Sequence, residues 1–231
     1  MLQQGAVDAM PLLSGTWASN YSGYMMNAYY SGGWKYAGDD YAMGIRFHGT
    51  GSYAGSMLFN TTPCANTSGA GTAISNWDDT TIRMIITKDG QITTPSQPAF
   101  LARNSAKDCN VTGNGTLVTV DFDTEVFDQG ADFASDVFTA PVTGRYLMTT
   151  TVNMEGNTTC HNRRDVWLVT SNRSYSTIMN GSRVGTVTQG LSMIVDMDAC
   201  DTAYVQANVY DGAQVIDFAI NSTYFSGMLV A

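Results

Sequence analysis

An all-β fold is what this sequence predicts, and three observations predict it. Helical periodicity is nearly absent. Short alternating runs are broken instead by Gly, Asn, Asp and Ser. The chain also closes on an apolar run, Ser222-Thr-Tyr-Phe-Ser-Gly-Met-Leu-Val-Ala231, which reads as a strand inside its own sheet. Such a strand needs cover, from the chain's own core or from identical neighbours, so a self-associating β-module is expected.

The elements fall into two compositional regimes. Residues 1–92 hold 13 of the 23 glycines and 12 aromatics, among them Tyr21, Tyr24, Tyr29, Tyr30, Trp34, Tyr36 and Tyr41. Gly beside large rings suits flat strands that pack against copies of themselves, and aliphatic residues are too few for a self-sufficient domain. Residues 93–98, Thr-Thr-Pro-Ser-Gln-Pro, read as an extended linker because proline lacks a ladder donor. Residues 99–231 form the second domain, with strands expected at 99–105, 117–122, 124–127, 144–155, 165–172, 176–180, 191–198, 202–210 and 224–230. Within them Trp167, Val169, Val205 and Ala207 alternate with polar or smaller neighbours, as a two-layer sandwich requires.

Composition excludes several functions. Apolar residues make up 44% of 231, enough for a globular core. The net charge of −9, with no Lys after Lys107, argues against nucleic acid and against anionic membrane surfaces. No apolar run approaches the ~20 residues that cross a bilayer. The first residues lack the basic and apolar regions of a secretory signal. Nine Asn-x-Ser/Thr sequons occur, at Asn20, Asn60, Asn66, Asn110, Asn114, Asn157, Asn172, Asn180 and Asn221. A chain this rich in Asn, Ser and Thr makes them by chance, although a glycosylated secreted protein would carry them too.

Two resemblances follow from particular wording. Gly32-Gly-Trp34-Lys-Tyr36, Ile45-Arg-Phe47 and Ile82-Arg-Met84-Ile-Ile-Thr-Lys-Asp89-Gly90 look like modules of bacteriophage tail-fibre proteins. Residues 98–231 resemble the globular head of complement C1q and the wider tumour necrosis factor-like family. The matching stretches are Pro98-Ala-Phe100-Leu-Ala-Arg103, Val120-Asp-Phe122-Asp, Glu125-Val-Phe127-Asp and Phe138-Thr-Ala-Pro141-Val-Thr-Gly144-Arg-Tyr146. Asp201-Thr-Ala-Tyr204-Val-Gln and Ser222-Thr-Tyr-Phe225-Ser-Gly227 complete them. This resemblance implies a ten-stranded jelly roll that forms a compact homotrimer and binds partners without catalysis. Some relatives hold calcium in the loop before the strand matching 191–198. Here residues 180–189 contain no carboxylate, so no metal is expected there.

Strand parity then assigns loops to ends, because successive antiparallel strands reverse direction. With the termini together at the base, the 106–116, 156–164, 181–190 and 211–222 loops share the far tip and the 199–201 turn lies at the base. The receptor-binding candidates are therefore Asn157, His161, Arg163, Arg183, Tyr210, Asp211, Gln214 and Asp217, as residues on loops of a rigid scaffold.

Other chemistry is weakly signalled. Cys64, Cys109, Cys160 and Cys200 lack paired metal-ligand spacing. Parity allows a Cys109–Cys160 disulfide, with free thiols as the alternative. His48 and His161 are the only histidines and neither adjoins a nucleophile motif, so no catalytic residue and no cofactor are assigned. Asp196, Asp198 and Asp201, like Asp121 and Asp123, read as solvated carboxylates rather than a calcium loop. Asp39-Asp40 and Asp78-Asp79 read as turns. The tyrosines from 21 to 41 could stack on sugars or pack between chains, and packing is favoured.

The resulting expectation is a virion protein. It is the distal part of a phage tail fibre, partnered by other tail proteins, with a trimeric knob gripping a host cell-surface receptor of polysaccharide or protein. The alternatives are a secreted C1q-like or lectin module working extracellularly, a capsid-attached decoration fibre, and a polysaccharide depolymerase. The last would need paired carboxylates in a groove.

Overall fold

The computed structural model describes residues 13–18, 21–75, 77 and 81–231. The opening segment 1–12, the sequon at Asn20 and the Asp78-Asp79 pair lie outside the described residues. Two compact units divide the chain, meeting in sequence at Ser96 and Gln97.

The first unit contains eight strands among the described residues. These are β1 (Leu13–Ala18), β2 (Tyr21–Met26), β3 (Ala28–Tyr30), β4 (Trp34–Tyr36), β5 (Met43–His48), β6 (Ser56–Thr61), β7 (Ile82–Ile86) and β8 (Ile92–Thr93). Six of them make an antiparallel sheet in the order β1-β2-β5-β6-β7-β8, and β3-β4 is a separate hairpin. Period-two alternation gives this sheet two unlike faces. One face carries Met25, Arg46, Leu58 and Asn60, all buried. It is covered by the chain itself: Arg46 and Asn60 donate to the Trp77 carbonyl, at 3.3 and 3.0 Å, and Met25 joins a cluster with Tyr36, Ile74 and Trp77. Trp34 stacks at a tilt on Trp77, 5.5 Å between centroids. Trp34 and Tyr36 therefore find their packing within the chain, which corrects the expectation that the whole aromatic stripe waits for neighbours. The other face carries the register row Tyr24–Ile45–Phe59–Met84.

The second unit is a jelly roll. Its strands are β9 (Ala99–Arg103), β10 (Asp108–Thr112), β11 (Val118–Thr119), β12 (Thr124–Asp128), β13 (Phe133–Ala134), β14 (Val137–Thr139) and β15 (Gly144–Asn157). They continue with β16 (Arg163–Thr170), β17 (Ser174–Asn180), β18 (Gly185–Met197), β19 (Thr202–Tyr210), β20 (Ile216–Phe218) and β21 (Tyr224–Leu229). One sheet runs β12-β9-β21-β15-β18 and the other β13-β14-β19-β16-β17. These ten strands give the Greek-key order in which the first and last strands pair, β21 with β9, while long strands β15 and β18 share an edge. The short β10, β11 and β20 extend the sheets at one end.

The inward residues of both sheets form one core. Phe100 stacks on Phe133 and Phe138, each at 4.9 Å, and meets Phe225 edge-on at 5.0 Å. Gly227 sits above them because a methyl there would lie 2.4 Å from Met148 Sδ and 2.7 Å from Phe100 Cε1. The outward face of the β12-to-β18 sheet carries the rows Ile194–Leu147–Met228–Ala99 and Ser192–Thr149–Ser226–Leu101. Neither row contains a charge.

The structure places strand in stretches expected as loop. Residues 185–190, expected as loop, begin β18, because Val187 and Gln189 alternate inward. Residues 108–112, also expected as loop, form β10 against β20. Cys109 consequently lies on a strand.

Candidate functional site

Four connections meet at one end of the jelly roll: 158–162, 181–184, 211–215 and 113–117. Parity placed these loops together, and hydrogen bonds hold them there. Gly181 N–H donates to Asn162 O, Ser182 Oγ donates to Thr159 O, and Gly212 N–H donates to Gly113 O.

The centre of this end is Arg164, which sequence reasoning did not single out. It is the second residue of β16 and is fully buried. Its guanidinium donates to Asn157 Oδ1 (2.7 Å), His161 O (2.9 Å), Gly181 O (3.0 Å) and Arg183 O (3.4 Å). Burial, with Arg183 nearby, pushes its pKa down from the usual arginine value, yet an arginine keeps its charge in proteins. A planar fork of five donors is the one side chain that can answer carbonyls from several loops at once. The signal available in the sequence was the Arg163-Arg164 pair beside His161, and a buried arginine without a carboxylate partner is not predictable from that.

His161 is the second internal post. The Thr158 N–H donates to Nδ1 at 2.9 Å, and Ala213 O lies 3.0 Å from Nε2. Because an amide only donates and a carbonyl only accepts, the proton sits on Nε2. The ring fills the space beside Gly212, where a methyl would lie 2.2 Å from it.

These contacts sort the eight candidate residues. Asn157 and His161 are buried at 3% and 0% exposure, so they brace the loops and meet no partner. That corrects their expected surface role: polar residues in a loop-like stretch can be turned inward when carbonyls and an arginine satisfy them. Asp217 is not a loop residue but part of β20. Its carboxylate accepts from Asn110 N–H at 2.8 Å and lies 2.8 Å from Lys107 Nζ. Partial burial pushes that carboxyl up, but Lys107 and the Asn110 amide outweigh it and hold it below the usual value. Arg163, Arg183, Tyr210, Asp211 and Gln214 do reach the surface. Arg163 is bidentate to the buried Asp165 at 2.9 and 2.7 Å, with its guanidinium 5.0 Å from the Tyr210 ring centroid. Gln214 accepts from Asn114 Nδ2 at 3.3 Å. The arrangement presents cations, an aromatic ring and amides on a braced platform, suited to polar surfaces.

The remaining candidates have local duties. Cys64, Cys109, Cys160 and Cys200 are all free and exposed. Asp201 accepts from Asp198 N–H at 2.8 Å and so holds the 198–201 turn, while Asp196 on β18 pairs with Arg173 at 2.5 Å. His48 packs edge-on to Tyr53 at 5.8 Å. Among the described residues no group of three or more His, Cys, Asp or Glu is placed to hold a metal. Of the sequons, Asn60, Asn66 and Asn157 are buried, where a glycan has no room.

The sequence matches no protein-family model and no curated protein. Solved structures do overlap it. The globular domain of zebrafish complement 1qA protein covers 58% of this chain and 98% of its own, at 17% identity and a TM-score of 0.44. Murine APRIL at pH 8.5 covers 58% and 99%, at 13% identity and a TM-score of 0.42. Murine APRIL at pH 5.0 covers the same shares at 11% identity and a TM-score of 0.42. The structural neighbours are thus C1q and tumour necrosis factor-family globular domains. The jelly-roll architecture rests on the strand order, not on these overlaps.

Proposed function

We propose that this chain is a non-enzymatic attachment protein that works as a homotrimer. Its jelly roll grips a host cell-surface receptor, saccharide or protein, with the end braced by Arg164, and its setting is a phage tail fibre within the virion. The single observation that carries the reading is that braced end. One buried arginine locks carbonyls from separate loops, and the exposed side chains it positions are polar and chemically mixed. Fixing loops in advance removes ordering entropy from binding. Support for self-association comes from the outer row Ile194–Leu147–Met228–Ala99, an uncharged row in which Ile194 and Met228 stay exposed among the described residues. Three copies would multiply weak contacts by avidity.

The test is binding of the purified chain to candidate cells, compared with Arg183→Glu and Gln214→Ala. Both residues are exposed, so the fold should survive. At least a tenfold loss of cell binding by Arg183→Glu is expected. Unchanged binding by both variants would remove this end as the contact.

A further inference from the structure

We propose that the end of the jelly roll braced by Arg164 is an anion site, and that its ligand is a saccharide polymer bearing carboxylate or phosphate groups. The inference rests on the attachment reading above and names the chemical class of the receptor. Arg164 is fully buried, and the four acceptors of its guanidinium are neutral: Asn157 Oδ1 and the carbonyls of His161, Gly181 and Arg183. Hydrogen bonds to such groups leave the net charge in place, whereas a buried charge is ordinarily closed by an opposite one. Arg183 stands beside it, exposed, and its side chain makes no hydrogen bond or ion pair among the described residues. Its charge is near enough to help push the Arg164 pKa down. Two guanidiniums thus share one neighbourhood with no carboxylate bonded to either.

The distribution of charge singles this end out. The whole chain carries −9, yet residues 156–165, 181–184, 210–215 and 113–117 hold three arginines, 163, 164 and 183, against two aspartates, 165 and 211. Asp165 is closed by the Arg163 fork, and the Asp211 charge also acts on Arg163. On the flank, Glu155 and Asp217 hold Lys107 between them at 2.7 and 2.8 Å. Arg164 and Arg183 are left uncompensated. An exposed guanidinium matches the paired oxygens of a carboxylate or phosphate. A second charge fixed beneath it, in a medium of low dielectric, strengthens the field at the same point. Neighbouring groups select a sugar as the carrier. The part-exposed Tyr210 ring offers an apolar face, and the exposed amides of Asn114 and Gln214 can bond hydroxyls. Repetition argues the same way, because a polymer repeats its charged group and the three ends of the proposed trimer can engage one polymer together. Nucleic acid fits less well, since one charge per ~1.7 Å of duplex is repelled by the rest of an acidic chain.

The experiment passes the full chain over immobilised polygalacturonate, phosphomannan, neutral dextran and single-stranded DNA, at low and high salt, with cell binding measured in parallel. The wild type is expected to bind at least one of the two acidic polysaccharides, more tightly than dextran or DNA and more weakly in high salt. Arg183→Gln should weaken that binding roughly tenfold. Arg173→Gln, in the turn that follows β16 at its other end, should leave it unchanged; Arg173 is 54% exposed and paired with Asp196. The two variants change the net charge equally, so the difference between them reports the site, and circular dichroism checks that both fold. Binding to polygalacturonate alone or to phosphomannan alone would identify the anionic group as carboxylate or phosphate. Equal losses in the two variants, tighter binding to dextran or DNA, or no binding to either acidic polymer would overturn the proposal. Cell binding that persists while both acidic polymers fail would leave the attachment reading standing, with a protein or neutral saccharide as receptor. Binding to an acidic polymer through Arg183 without any cell binding would sink the attachment reading and leave the anion site.

Discussion

Arg164 shows how one side chain can set the behaviour of an entire loop cluster. Its four acceptors are neutral, so removing it strands Asn157 Oδ1 and the carbonyls of His161 and Gly181 without donors in the interior. Arg164→Met should therefore cost about 3 kcal/mol or more in urea unfolding. It should also weaken cell binding although the residue itself is buried. Arg164→Lys should recover little, because a single ammonium cannot answer acceptors spread over the end of β15 and two loops. Carboxylates near the start of the jelly roll give a separate prediction. Asp108 and Asp121 are both raised above the usual 3.8, first by partial burial and then by neighbouring carboxylates, with Asp121 and Asp136 in hydrogen-bond contact. Folding then favours their protonated forms, so their contribution to stability is present below pH 3.8 and is lost as pH rises through the elevated folded values. Asp123, lowered mainly by the Ser105 hydroxyl and amide, acts in the opposite sense, its contribution fading as pH falls. Asp121→Asn should thus raise the Tm at pH 7, with the gain shrinking toward pH 3.5 in a calorimetric series.

At the scale of elements, Gly212 decides how the 211–215 turn lies against the 158–162 loop. Gly212→Ala would drive a methyl to 2.2 Å from the fully buried His161 imidazole. The expected outcome is a loss of about 2 kcal/mol. A changed imidazole NMR signal would separate it from a simple surface effect. The same elements show how far the sequence could be read. Long strands were legible because their inward positions are large and apolar: Tyr146, Met148, Val152 and Met154 on β15 alternate with half-buried Leu147, Thr149 and Thr151. The motif residues Phe100, Phe122, Phe138 and Phe225 all stand in the aromatic core. The start of β18 was hidden because Gly185, Thr186 and Thr188 are exposed and Gln189 faces inward, donating to Thr177 O at 2.7 Å. Strands of two or three residues such as β13 and β20 carry too few positions for a periodic signal. At the loop end, parity found the location, while burial of Asn157 and His161 depended on tertiary partners that no local pattern encodes.

For the whole molecule, an acidic chain with few charges overall leaves large apolar side chains at the surface of its jelly roll. Ile194, 58% exposed, and Met228, 47% exposed, flank Leu147 at the centre of the jelly roll's outer face. Ile194→Glu with Met228→Glu should lower the solution mass on light scattering while leaving the melting profile of the diluted chain unchanged, since neither side chain enters the core. Retention of the wild-type mass by this pair would place the contact of the proposed trimer elsewhere.

The exposed thiols have a practical consequence. Cys160 lies in the 158–162 loop and Cys200 in the 198–201 turn at the opposite end of β18. Versions keeping one or the other would carry a fluorophore at either pole of the same scaffold. Quenching of the Cys160 dye but not the Cys200 dye on contact with cells would reveal the molecule's orientation directly, whatever it has grasped.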